Sequence, residues 1–200
     1  MKKLISVGAE FGPFQSIVMV DDQYLADGVC LPVSALPGEH VIVDVEDLPQ
    51  PWVSGAYTIQ GGALILDEES APWQAYLQAE AARLDKAKSE RLADINRWRA
   101  DANATIFPFA GKHIQCDALS TTDILGTALS IALTGAFPPD FPGAWKASDN
   151  TYIPLPTVED FAPLYSAFTQ RGSLNFQRAQ ELKAQVASAT TFAELEEVKW

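Results

Sequence analysis

Few residues in this chain have the types and spacing for chemistry. His40 and His113 are its only histidines, and Cys30 and Cys116 its only cysteines. A thiol nucleophile needs a base within hydrogen-bond reach and commonly a third group that orients the base. Cys116 follows His113 by three positions, so this pair is the first candidate. If 113–116 is a strand, residues three apart point to opposite faces, and the imidazole cannot take the thiol proton. His40 lies in a different segment. A metal centre would need three or four converging Cys, His or carboxylate groups, and no spacing provides them. Nucleophile-elbow, P-loop, dinucleotide-binding and H-E-x-x-H motifs are all missing. Paired carboxylates could do acid–base work in so acidic a chain, but none is singled out. The expectation is a protein that is not an enzyme, with no catalytic residue, metal or cofactor.

One stretch, WKASDNTYIPLPTVEDF at 145–161, gathers a tryptophan, a tyrosine and several carboxylates. Each piece has a structural task. Ser148, Asp149 and Asn150 read as a turn, since Asp and Asn bond their own backbone. Thr151–Leu155 reads as a short strand, confined to an edge by Pro154 and Pro156. Thr157 then caps a helix through its hydroxyl, with Glu159 and Asp160 where the helix dipole favours negative charge. Trp145 is expected to pack across the hairpin.

The elements that position these residues come from composition and pattern. The 200 residues are 48% hydrophobic and 20% charged, ordinary values for a globular chain. The 14 basic and 26 acidic residues give a net charge of −12. Nucleic-acid binding requires Lys and Arg to neutralise phosphates, so a nucleic-acid partner is not expected. The two isolated cysteines fit no disulfide framework and suit a reducing cytoplasm. The start, MKKLISVGAEFGPF, lacks the apolar run of a secretory signal, and no stretch approaches a membrane span. A soluble, intracellular protein without membrane insertion is expected.

Composition shifts near 70 and 104, predicting α+β architecture in three parts. Residues 1–70 read as a small β-rich module for docking, with strands at 15–20, 40–45, 55–59 and 63–67 and a glycine hairpin at Gly61-Gly62. Val41, Val43 and Val45 alternate with Ile42 and Asp44, so at least one face of that strand is buried. Residues 71–103 read as one long connecting helix of ~45 Å, started by Ser70 and Pro72. Its apolar stripe (Trp73, Leu77, Ala81, Leu84, Leu92, Ile95, Ala102) is thin, and Lys88 falls at a core position. Spacer and oligomer stem both remain open. Ion pairs Glu80–Arg83, Lys86–Glu90 and Asp94–Arg97 suit a solvated helix. Residues 104–200 read as a compact α+β domain with a short sheet and about four helices. Two strands flank Ala110-Gly111, a helix starts at Ser120-x-x-Asp123, and further helices start at Thr157, Ser173 and Thr191. Trp73 and Trp98, near the ends of the long helix, are anchors, and partner contacts are expected at Trp73, Leu77, Leu84, Trp98, Phe137, Phe141 and Trp145.

Several features of the last segment occur together in a fixed order. They are Phe109 with Gly111 and Lys112, then Trp145 with Asp149 and Asn150, then Thr157, then Lys183, Val186, Ala189 and Thr190. Over about 95–198 the chain resembles a domain family of unknown function found in tailed bacteriophages, in tail-fibre proteins and in small tail-fibre-assembly-like proteins. That resemblance carries no active site. It implies a phage tail context: a minor virion component linking tail tip or baseplate to a tail fibre, made in the host cytoplasm and resident in the virion. Its partners would be other tail or fibre proteins and copies of itself, as a trimer or a multiple of three. The alternative it implies is a tail-fibre assembly chaperone absent from the mature virion.

Overall fold

The computed structural model describes residues 1–200 apart from 7, 8, 15, 16, 21, 22, 28, 36 and 37. It is mixed α+β, with four helices and small antiparallel sheets of two or three strands among the described residues. Two compact units are present, Met1–Arg83 and Leu84–Trp200.

Among its described residues the first unit holds eight strands: β1 (Lys2–Ser6), β2 (Ala9–Phe14), β3 (Ile17–Val20), β4 (Gln23–Ala26), β5 (Val29–Pro32), β6 (His40–Asp44), β7 (Tyr57–Gln60) and β8 (Ala63–Leu66). β1 is central in a sheet of order β2-β1-β6, and β3-β4-β5 form a meander. Side chains alternate along a strand, and the central position of β1 uses both faces. Leu4 packs with Ile17, Tyr24 and Ala26, while its neighbour Ile5 packs with Leu48 and Ile59. β6 divides in the same way, Ile42 against the first cluster and Val41 and Val43 against the second. Gly61 and Gly62 both take positive φ (57° and 79°), which lets two residues close the β7–β8 hairpin. The strand expected over 15–20 is present as β3; Gln15 and Ser16 lie outside the described residues.

Helix α1 (Ala71–Ala104) begins as its sequence requires. The Ser70 hydroxyl accepts from the Trp73 N–H at 3.4 Å, and Pro72 sits in the first turn, where a missing N–H costs nothing. All three expected ion pairs form: Glu80–Arg83, Lys86–Glu90 at 3.9 Å and Asp94–Arg97 at 2.7 Å.

The second unit continues with β9 (Phe107–Phe109), β10 (Lys112–Ile114), α2 (Ala118–Thr134), β11 (Ala144–Lys146), β12 (Tyr152–Pro154), α3 (Val158–Ser188) and α4 (Phe192–Glu196). Ala110 and Gly111 turn β9 into β10 with positive φ (48° and 74°), and Trp145 pairs across its hairpin with Ile153. The two hairpins are joined by the Ser148 N–H to the His113 carbonyl at 2.8 Å and by Lys112 to Thr151. Their core is Phe107, Ile114, Ile124, Ile153, Phe161 and Leu164 with their neighbours. A second cluster joins Ile95 of α1 to Ala179, Leu182 and Val186 of α3 and to Leu195 of α4.

Two helix starts differ from the sequence reading. α2 starts at Ala118, because Asp117 caps it by accepting the Ser120 N–H at 2.8 Å. The helices expected on either side of Gly172 are one helix, α3. Arg171 and Asn175 both bond to Asn103 across that point, holding the segment helical through a glycine that is otherwise unfavourable there. Thr157 also differs in detail: its hydroxyl donates to the Asp160 carboxylate (2.9 Å), which accepts the Thr157 N–H as well (3.0 Å).

Candidate functional site

α2 is the element whose sequence and surroundings disagree most. Its 17 residues contain one ionisable group, Asp123, which shares a polar stripe with Ser120, Thr127, Ser130 and Thr134, while the rest of its surface is largely apolar. An apolar face that wide belongs largely in an interior. Here only one side is packed, through Ile124, Thr127, Ala128 and Ile131. The other side carries Leu119 (72% exposed), Leu125 (46%), Leu129 (59%) and Leu133 (76%). Together they leave about two and a half leucines' worth of surface in water, forgoing roughly 4–8 kcal/mol at about 1.5–3 kcal/mol per buried leucine. Single exposed leucines are ordinary, but a contiguous face marks a contact surface.

This face is bordered by two concavities. Towards α3, Leu125, Ala128, Leu129, Ala132, Ala162 and Tyr165 line an apolar cleft of about 500 Å³. Towards the β11–β12 hairpin, Leu119, Asp123, Gly126, Phe141, Trp145 and Tyr152 border a broader, mixed hollow of about 870 Å³.

The residues expected at partner contacts fall into three groups. Phe137, Phe141 and Trp145 are half-buried on the core: Phe137 stacks on Phe141 at 4.0 Å, and Phe161 meets Phe137 at 6.3 Å and Trp145 at 5.8 Å. Leu84 and Trp98 pack on the cluster around Ile95, with the Arg91 guanidinium 5.8 Å above the Trp98 ring. In the first unit Trp73 stacks on Tyr76 at 5.3 Å, and Leu77 is 44% exposed. The leucines of α2 were not among those expectations. The signal available for them was a 17-residue stretch with one charge, in which large apolar residues lie on both the covered and the open side.

The His113–Cys116 pair does not assemble. β10 ends at Ile114; His113 is exposed, whereas Cys116 is buried. The Cys116 thiol lies 3.0 Å from Arg171 Nη2 and 3.6 Å from Thr121 Oγ1. No group of three or more His, Cys, Asp or Glu that could hold a metal occurs among the described residues, and no described helix is long and apolar enough to cross a membrane.

In the first unit, the Glu10 carboxylate accepts from Lys3 and from Trp52 Nε1 at 3.0 Å. Burial works to raise its pKa, but hydrogen bonds from Lys3, Trp52 and Ser54 and the Lys3 charge hold it below the ordinary glutamate value. Lys3 also sits 6.0 Å from the Trp52 ring, so this cluster fixes the edge of the sheet onto the loop that follows β6.

Compared with known proteins, the chain matches one family model, a domain of unknown function (DUF4376), over residues 86–199. That span is nearly the whole of the second unit. None of the curated proteins matches, and neither does any solved structure.

Proposed function

Because the chain belongs to the DUF4376 family, a domain of unknown function, we propose its role from its architecture: a non-enzymatic bacteriophage tail protein. In this reading it is a minor virion component that links the tail tip or baseplate to a tail fibre. The observation that carries it is α1. Its 34 residues run ~51 Å at 1.5 Å per residue, and Ile95 is their one fully buried side chain. A helix of that length, shared between two compact units and held by its own ion pairs, suits a spacer between two contacts. The ordered set of motifs from Phe109 to Thr190 supports the phage setting, through the resemblance to tail-fibre-associated proteins.

The partners in this reading are other tail or fibre proteins together with further copies of the chain. Tail symmetry favours a trimer or a multiple of three. The excess of 26 acidic over 14 basic residues argues against a nucleic-acid partner. The test is mass spectrometry of gradient-purified particles, with peptide counts scaled to a tail protein of known copy number. The expected result is three copies per tail, or a multiple of three. Abundance in infected cells with absence from particles would replace this reading with that of a tail-fibre assembly chaperone.

A further inference from the structure

The exposed side of α2 has a period. Leu119, Gly126 and Leu133 recur at intervals of seven, as do Thr122 and Leu129, and Leu125 and Ala132. All seven are exposed, while Ser120, Thr121, Ile124, Thr127, Ala128 and Ile131 face the unit's own packing to differing degrees. Residues seven apart lie on one side of a helix, so these seven form a single exposed seam, wide enough for a second helix to cover. We infer that a second copy of this chain covers this face, the leucine ridge of one copy lying in the cleft between α2 and α3 of the next.

Three observations select a second copy over an unrelated partner. First, the chain supplies both halves of the contact side by side. Leu129 and Leu133 project from α2, and the adjoining cleft, whose wall Leu129 shares, is lined by the small side chains of Ala128, Ala132 and Ala162. Ridges fitting grooves is how helices pack, and a closed assembly of identical chains needs a patch that complements itself or its neighbour. Second, two copies of a chain with net charge −12 repel except where charge is missing. α2 carries Asp123 alone, so this is a surface on which like chains meet with little repulsion. It offers no row of charges by which a basic partner would be chosen.

Third, the face has the size of an interface centre. α2 is ~25 Å long and a helix is ~10 Å across, so the face presents roughly 250 Å² in plan. Val158, Ala162 and Tyr165 on α3 extend it across the cleft, and a standard interface of ~800 Å² per partner surrounds such an apolar centre with a polar rim.

Gly126 lies at the midpoint of the seam. Within the chain nothing stands within 4 Å of where its Cβ would be, so no contact inside the chain accounts for a glycine in mid-helix. A second helix approaching closest at that point does.

The inference rests on the homo-oligomeric part of the proposed function and not on its phage setting, and its test uses purified full-length chain alone. Light scattering after size exclusion, at tens of micromolar, should give a multiple of 21.7 kDa. The double substitution Leu129→Asp/Leu133→Asp changes two exposed side chains. It should keep the circular dichroism spectrum and run as a 21.7 kDa monomer, its dissociation constant raised at least about a hundredfold. A wild-type monomer at these concentrations would overturn the inference, as would an oligomer that survives the double substitution. Should that variant misfold, Gly126→Gln decides. It adds helix propensity where the chain leaves room, so fold is kept; dissociation supports the inference and an unchanged mass overturns it. Particle mass spectrometry can fail for the tail role without touching any of these outcomes.

Discussion

Arg171 is the residue through which three parts of the second unit meet, and its removal has a calculable effect. Its Nη1 donates to the Thr105 carbonyl at 2.5 Å and its Nη2 to the Asn103 carbonyl, both at the C-terminal end of α1. The guanidinium carbon lies 5.5 Å from the centre of the Phe107 ring on β9. The last carbonyls of a helix have no partner within it, and a cation there also meets the negative end of the dipole. Hydrogen bonds from a charged donor contribute about 1.5–3 kcal/mol each. Two of them set an upper figure near 6 kcal/mol, which partial exposure and an unpartnered Nε bring down to about 3 kcal/mol. Arg171→Met keeps the stem against Phe107 and removes only the donors. With an urea m-value near 2 kcal/mol/M, the unfolding midpoint should fall by about 1.5 M. Following the transition by amide exchange of residues 107–114 reports on the second unit specifically. Arg171→Lys retains the charge with poorer geometry and should fall between the two. A midpoint for Arg171→Met within about 0.3 M of wild type would refute the clamp.

Two further predictions concern the same unit. Phe161 is buried among Phe137, Trp145 and Tyr165, so Phe161→Ala should cost about 3–5 kcal/mol, read as a lowered thermal midpoint in near-ultraviolet circular dichroism; a loss under ~1 kcal/mol would mean the aromatic cluster is not a core. Asp117, Asp149 and Glu194 are held below their ordinary pKa values, first by hydrogen bonds from the Ser120 N–H, the Thr151 hydroxyl and the Thr190 N–H respectively. The unfolded chain therefore binds protons that the folded one does not. The stability these groups contribute is full above the ordinary carboxylate range and is lost as pH falls from about 5 through their lowered values. The triple variant Asp117→Asn/Asp149→Asn/Glu194→Gln should show a flatter urea midpoint between pH 6 and pH 3, roughly the span of those titrations; an acid slope equal to wild type would disprove the attribution.

Local rules were legible wherever one residue dictates one geometry. Gly61-Gly62 and Ala110-Gly111 place two positive φ angles in succession and close hairpins. The Thr191 hydroxyl accepts the Glu194 N–H at 3.2 Å while the Glu194 carboxylate accepts the Thr191 N–H at 3.2 Å, the reciprocal pattern their spacing predicts. What was not legible depends on partners distant in sequence. β1 reads as a basic, mixed stretch and becomes a strand because β2 and β6 flank it. Lys88, a misfit in the stripe of α1, reaches the Ala187 carbonyl in the last turn of α3, at 3.4 Å, where a cation suits the dipole. The site divides along the same line. Phe137, Phe141 and Trp145 announced themselves as aromatics, whereas α2 carries large apolar residues on both its covered and its open face, which offers little contrast by which to tell the two apart.

The two long stretches of exposed helix differ in what they can bind. On α1, Leu77 and Leu92 are 44% and 37% exposed, but fifteen residues separate them, a distance of ~22 Å along the helix. Between them run Glu80, Arg83, Lys86, Lys88 and Glu90, several already paired along the helix surface. Covering Leu77 and Leu92 together would bury those charges, at a cost exceeding the gain from two half-exposed leucines. α2 concentrates four exposed leucines within fifteen residues beside alanine and glycine, with Asp123 the one charge in the helix. Exposed apolar surface on these two helices is therefore concentrated on α2, whereas the open side of α1 is kept solvated by its charges. Reversing the two assignments would require the charged helix to dehydrate while the apolar one stays wet.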